Sequence, residues 1–126
     1  MGLGLTFDTG ALIALERRRQ RMTDVLRRAA QRAVPITVPA PVLGEWWRGQ
    51  GGAWIRDLRA CFDVEPMTER LALTAGEALA RTKGKNLVDA VVVASAAQRG
   101  DIVYTADVLD LERLAHGFPG VRVLRC

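Results

Sequence analysis

Leu3, Leu5 and Phe7 alternate along an apolar run, and a second apolar run, Ala11 to Leu15, follows at helical density, with Asp8, Thr9 and Gly10 between them. The alternation predicts a strand from Leu3 to Phe7, and the denser run a helix from Thr9 to about Arg18. The same pairing of patterns recurs along the chain. An amphipathic helix is expected from about Met22 to Ala33, after the basic run RRRQR, and ITVP, from Ile36, reads as a second strand. Pro39 and Pro41 open a helix carrying Val42, Leu43, Glu45, Trp46 and Trp47, which GQGG breaks before another helix from Ala53 to about Arg59. FDVEP, from Phe62 to Pro66, reads as a third strand ended by proline. Thr68 to Arg81 makes a helix, KGKN a turn, and LVDAVVVASAAQ an apolar helix closed by Gly100. DIVYT is a fourth strand, VLDLERL a short helix and VRVL a last strand. Strands alternating with helices imply parallel strands with helices on both faces, in one domain spanning residues 1–126.

Composition narrows the class. At 126 residues and 49% hydrophobic content the chain can bury a real core. No stretch approaches the roughly 20 apolar residues of a membrane span, and the N-terminus lacks the pattern of a signal peptide, so a cytoplasmic protein without membrane contact is expected. MGLGLT matches a loose myristoylation pattern, but Leu3, Leu5 and Phe7 read as a buried strand, which speaks against lipidation. Cys61 and Cys126 are too few for a disulfide framework or a zinc site and are expected to be structural. The net charge of +4 suits a polyanionic partner, although apart from Lys83 and Lys85 every base is Arg, which a GC-rich genome would also produce.

Carboxylates carry the chemical signal. In an alternating parallel fold the carboxyl ends of the strands share one edge, where loops and helix N-termini converge and ligands bind. Asp8 follows strand one and Asp107 follows strand four. Glu45 is placed in the first turns of the helix after strand two, on a segment expected to be largely buried, and Asp89 in the first turn of the helix that leads into strand four. Helix capping is the plain alternative: Asp8 and Asp107 suit N-cap positions, and Asn86-x-x-Asp89 resembles a capping box. Capping explains acids at helix starts but not four of them at one edge. Four carboxylates within ~5 Å would repel by about 3 kcal/mol per pair at an effective dielectric near 20. A hard divalent cation, Mg²⁺ or Mn²⁺, offsets such repulsion in an all-oxygen site and supports hydrolysis of a phosphodiester.

FDTGALIALE near the start, VLGEWWRG after strand two, NLVDAVVVASAA, and VYTADVLDLERL near the end together make the sequence resemble a PIN domain of the VapC class of bacterial toxin–antitoxin ribonucleases. The resemblance implies a three-layer α/β/α fold with a five-stranded parallel sheet ordered 3-2-1-4-5, an endoribonuclease acting on RNA, a homodimer, and neutralisation by a small VapB-like antitoxin. It implies that Asp8, Glu45, Asp89 and Asp107 form the catalytic and metal-binding site, with Thr105, Asp110 and Thr9 as auxiliaries. The family often has Asn where this chain has Asp107.

Rival chemistries find little support. A haloacid-dehalogenase-type phosphatase needs a second Asp at the position of Gly10, no phosphate-cradling glycine loop is present, and the one histidine, His116, reads as a surface residue. A PIN fold that binds nucleic acid or protein without turnover is the non-enzymatic alternative, which the intact acids oppose. Trp46, Trp47 and Trp54 suit core or interface packing, and as contact candidates would receive an antitoxin segment or stack on RNA bases. Arg17 and Arg18, in the basic run, suit a solvated surface or contact with RNA or antitoxin.

Overall fold

The computed structural model describes residues 3–49 and 51–126. Met1 and Gly2, on which the lipidation pattern rests, and Gln50 in the GQGG break lie outside them. In chain order the elements are β1 (Leu5–Phe7), α1 (Thr9–Glu16), α2 (Gln20–Gln31), β2 (Ile36–Pro39), α3 (Ala40–Trp46), α4 (Ala53–Arg59), β3 (Asp63–Glu65), α5 (Glu69–Thr82), α6 (Leu87–Arg99), β4 (Ile102–Thr105), α7 (Val108–Ala115) and β5 (Arg122–Arg125). All strand pairs are parallel, in the order β3-β2-β1-β4-β5, as the resemblance implies. Among the described residues no helix is long and apolar enough to cross a membrane.

The strand and helix types agree with the sequence reading, but several bounds move for physical reasons. The first strand starts at Leu5, whose N–H donates to the Pro35 carbonyl at 2.9 Å, and Leu3, expected to be buried, is 50% exposed. Helix α1 stops at Glu16 because Arg18 turns to φ 55°, and α2 ends at Gln31 ahead of Ala33 at φ 54°. The third strand shrinks to Asp63–Glu65 at the sheet edge: Phe62 is buried before the ladder begins, and Pro66 has no N–H to extend it. Thr68 caps α5 with its hydroxyl accepting from the Leu71 N–H at 3.1 Å, and Gly100, at φ 73°, closes α6 as expected.

Helix α6 organises the packing. Every residue from Ala90 to Ala96 is buried, so the helix has no solvated face at its centre. The small side chains of this run, Ala, Val and Ser, let α6 lie close across β1, β2 and β4, with α5 and α7 beside it. On the opposite face α1 packs against β1 and β4, and α2, α3 and α4 pack on α1. Beneath α6 the alternation of β1 turns Thr6 toward the helix, into a polar network. The Thr6 hydroxyl donates to Asp101 at 2.8 Å, Arg99 pairs with Asp101 at 2.8 Å and with Glu65 at 3.2 Å, and Ser95 also bonds Glu65. This network ties β1, β3, β4 and α6 together with no buried side-chain donor or acceptor left unpaired among the described residues.

Asp101 is 2% exposed and depends on Arg99 for its counter-charge. Arg99→Ala is expected to lower stability by about 2–4 kcal/mol, because a buried carboxylate loses its partner. Arg99→Lys should recover only part of that, since an ammonium cannot reach Asp101, Glu65 and Ser95 with one planar fork. Denaturant melts of the two variants check it.

Candidate active site

Three close approaches at the carboxyl edge of the sheet shape the site. The Asp8 N–H donates to the Tyr104 carbonyl at 3.2 Å, which carries β1 and β4 side by side to their ends. Gly10, in the first turn of α1, faces the β4–α7 loop so closely that a Cβ there would lie 2.7 Å from the Ala106 Cβ. A glycine is therefore required for the loop that bears Asp107 to reach Asp8. The Thr105 hydroxyl accepts the Asp107 N–H at 2.9 Å and fixes the start of that loop.

The acids then sort by what holds them. Asp8 is buried and caps α1, accepting the Ala11 N–H at 2.9 Å, so the cap reading holds there. Burial is the main reason its carboxyl sits above the usual range; hydrogen bonds from Thr105 and the helix backbone pull the other way, and the charge of Asp107 adds to the rise. Asp107 occupies the N-cap position of α7 without making a side-chain cap bond, so capping does not account for it. At α6 the expected capping box is half formed. Asn86 accepts the Asp89 N–H at 3.1 Å, and no bond back from the Asp89 carboxylate is present among the described residues.

That carboxylate instead meets two others. Asp89, Asp107 and Asp110 each offer an oxygen within 4.8 Å of the other two. Asp110, one turn into α7, was expected only as an auxiliary; its i, i+3 spacing from Asp107 puts both on the same helical face. Burial raises the Asp89 pKa to about 6, reinforced by the charges of Asp107, Asp8, Asp110 and Glu45. Asp107 is also pushed up, by loss of hydration and by Asp110. All five acids therefore share one field, although only three form the tight group.

Glu45 differs from expectation. It lies in the second turn of the seven-residue α3, where the sequence placed it, but is exposed rather than on a buried segment, because Val42 and Trp46 take the inward positions of this short helix. The Thr9 hydroxyl donates to its Oε1 at 2.5 Å, which aims it across α1 at the other acids. Trp46 is buried with its Nε1 donating to Glu16 at 2.8 Å, a core role. Trp54 donates to the Leu15 carbonyl at 3.0 Å with the exposed Arg18 stacked on its ring at 4.6 Å, and Arg59 lies 5.0 Å over Trp47. Arg17 is exposed and makes no ion pair among the described residues. His116 is exposed at the end of α7. Cys126 packs against the core, and its thiol is pushed up by burial and then by the charge of Asp8.

An all-oxygen donor set, with the pKa of one member pushed up to about 6 by burial and by the neighbouring acids, is chemically suited to a hard divalent cation. The fold and this edge define an α/β domain with an acidic site at the ends of its parallel strands. The PIN domain family model matches residues 5–116, and the chain belongs to that family. Among solved structures, the chain is similar to VapBC2 from Rickettsia felis bound to a promoter DNA fragment, at 12% identity and a TM-score of 0.76, covering 98% of this chain and 99% of that one. DNA-bound VapBC from Salmonella typhimurium gives 18% identity and 0.71, covering 98% of each chain. A toxin–antitoxin complex from Klebsiella pneumoniae gives 20% and 0.67, covering 94% of this chain and 95% of that one. No curated protein matches the chain in sequence at a significant level.

The raised pKa of Asp89 has a measurable consequence without metal. The folded state holds this proton to about pH 6, whereas the ordinary carboxyl loses it near 3.8, so the stabilisation is complete below the lower value and is lost as pH rises through the upper one. In EDTA the melting temperature should therefore carry a component that falls between about pH 4 and pH 6, and Asp89→Asn should remove it and raise stability at neutral pH. A melting temperature lowered at pH 7 by Asp89→Asn would show that the carboxylate serves the helix terminus instead.

Proposed function

We propose that the chain is the toxin of a type II toxin–antitoxin pair, a Mg²⁺- or Mn²⁺-dependent endoribonuclease that hydrolyses RNA phosphodiester bonds. The observation that carries this reading is the meeting of Asp89, Asp107 and Asp110 beside Asp8, where capping explains only Asp8. Asp89, Asp107 and Asp110 would hold the cation, with buried Asp8 beneath them. When bound, such a cation polarises a phosphate oxygen, acidifies a water and steadies the leaving oxygen of an in-line displacement.

The protein's own contributions follow from its hydrogen bonds. Thr105 keeps the Asp107 backbone in place, and Gly10 keeps the loop close to Asp8. Thr9 occupies Oε1 of Glu45, leaving Oε2 free at the exposed mouth to accept a proton from the attacking water. Water, not the ribose 2′-hydroxyl, is then the nucleophile, so no 2′,3′-cyclic phosphate forms; with the 3′-oxygen as the leaving group, the P–O3′ bond breaks and the products carry 5′-phosphate and 3′-hydroxyl ends.

The structural neighbours are toxin–antitoxin complexes, which supports a small VapB-like antitoxin as partner and, with the resemblance, a homodimer. A cavity of about 300 Å³ lined by Ala40, Leu43, Gly44, Trp47 and Arg59 suits an apolar antitoxin side chain with an acidic neighbour.

Incubation with total RNA in Mn²⁺ should give fragments with 5′-phosphate ends, and EDTA should abolish them; Asp89→Asn and Asp107→Asn should each lower the rate by at least about 100-fold. Undiminished cleavage in EDTA, or 2′,3′-cyclic phosphate ends, would refute the mechanism. Expression of the chain alone should arrest growth, and an antitoxin encoded beside it should restore growth. Normal growth with abundant soluble protein would contradict the toxin assignment.

A further inference from the structure

The cavity that touches the acids is lined by bases as well. About 320 Å³ in volume, it is lined by Asp89 and Asp110, by Lys83 and Lys85 from the α5–α6 turn, and by Arg113 from α7, whose guanidinium also pairs with Asp110 at 3.7 Å. These are the chain's only two lysines, and both stand here. A second cavity shares Thr82 and Arg113 with the first and continues to Arg81, His116 and Gly117. Together they make one groove that leaves the acids between the C-terminal end of α5 and α7.

Two details separate this groove from an ordinary solvated basic surface. The Arg81 guanidinium lies 5.4 Å over the Phe118 ring and packs close to Gly117, where a Cβ would stand 2.5 Å from its Nη2. No carboxylate pairs with Arg81 among the described residues, which leaves the edge of a pre-placed guanidinium open to an anion. Lys83, the C-cap of α5, adopts φ 55°, a left-handed conformation that disfavours a residue with a Cβ. The adjacent glycine does not relieve it. Gly84 is closely packed, and a Cβ there would stand 3.0 Å from the Leu79 Cδ2 and 3.2 Å from the Thr82 Oγ1. The helix end thus places a lysine at the cavity wall.

Acids alone would repel a nucleic acid; a row of cations joined to them draws its neighbouring phosphates in. The ring of Phe118 is covered by Arg81, so the groove offers charge to a backbone and no open platform for a base. We infer that this groove carries the RNA strand on one side of the scissile bond, with successive backbone phosphates along Lys85, Lys83, Arg113 and Arg81. The inference rests on the ribonuclease reading and names the path by which its substrate reaches the acids. It assigns the groove to affinity without sequence preference.

The test uses fluorescence anisotropy of a labelled 12-nucleotide RNA of mixed sequence in Mn²⁺, on the full chain carrying Asp89→Asn so that the probe stays intact. Adding Arg81→Gln or Lys83→Gly should weaken binding several-fold and lower the slope of log K against log salt by about 0.7 each, the release from one phosphate of a single strand. Arg28→Gln, exposed on α2 in the opposite helix layer, should leave the slope unchanged. Lys83→Gly should also raise the melting temperature, since it removes backbone strain, so lost affinity there cannot come from unfolding. Slopes equal to the parent's, absence of parent binding, or a labelled poly-glutamate peptide that binds more tightly than RNA with the same dependence on Arg81 and Lys83 would overturn the inference. Cleavage by the wild-type chain separates the two failures. If it cuts RNA while the slopes stay unchanged, the groove assignment falls alone; if it never cuts while the slopes change, the nuclease reading falls and the groove stands.

Discussion

Mutual repulsion of carboxylates at the ends of the parallel strands is the constraint the rest of this structure accommodates. Three of them, Asp89, Asp107 and Asp110, come within 4.8 Å of one another while Asp8 and Glu45 add to the same field. Each fully ionised pair at that range opposes folding by roughly 3 kcal/mol at an effective dielectric near 20, and by less where water reaches, as at Asp107 and Asp110. The edge is held together by short-range packing and hydrogen bonds and by the Arg113–Asp110 pair. Gly10 gives the β4–α7 loop room, Thr105 pins the Asp107 backbone, Thr9 holds Glu45, and α1 offers Asp8 a backbone donor. The N-termini of α1, α6 and α7 point their positive ends at the same place.

The opposing stability comes from α6 and from what lies beneath it. A helix buried over seven consecutive residues supplies packing on both sides, and the Arg99, Asp101, Thr6, Ser95 and Glu65 network locks it to three strands away from the acids. One helix therefore serves two ends: its first turn presents Asp89 to the site and its last turn anchors Arg99 to the sheet. Strain near the site is kept local, in Lys83 and in the crowded carboxylates, while the core makes up the difference.

Much of this was legible in the sequence because it follows from periodicity. Alternating apolar strands and denser helical runs placed every element, and Asp8, Asp89 and Asp107 were visible as acids at helix starts after or before strands. What periodicity cannot convey is which inward-facing slots a short helix fills. In α3 these are taken by Val42 and Trp46, so Glu45 emerges exposed and reaches the site only through Thr9. Asp110 was expected only as an auxiliary because it lies inside α7 rather than at the end of a strand, and only the packed helix shows its carboxylate turned toward Asp107 and Asp89. The basic groove was illegible because Lys83, Lys85, Arg81 and Arg113 meet only once α5 and α7 have packed.

The claim that these acids exist to hold a hard cation is tested most directly by titrating the protein with Mn²⁺ and following the free ion by electron paramagnetic resonance. The account predicts saturable loss of the free Mn²⁺ signal with the wild-type chain, and much weaker uptake with Asp107→Asn and with Asp110→Asn, neither of which removes a helix cap. Uptake that is absent in the wild type, or unchanged in both variants, would contradict it.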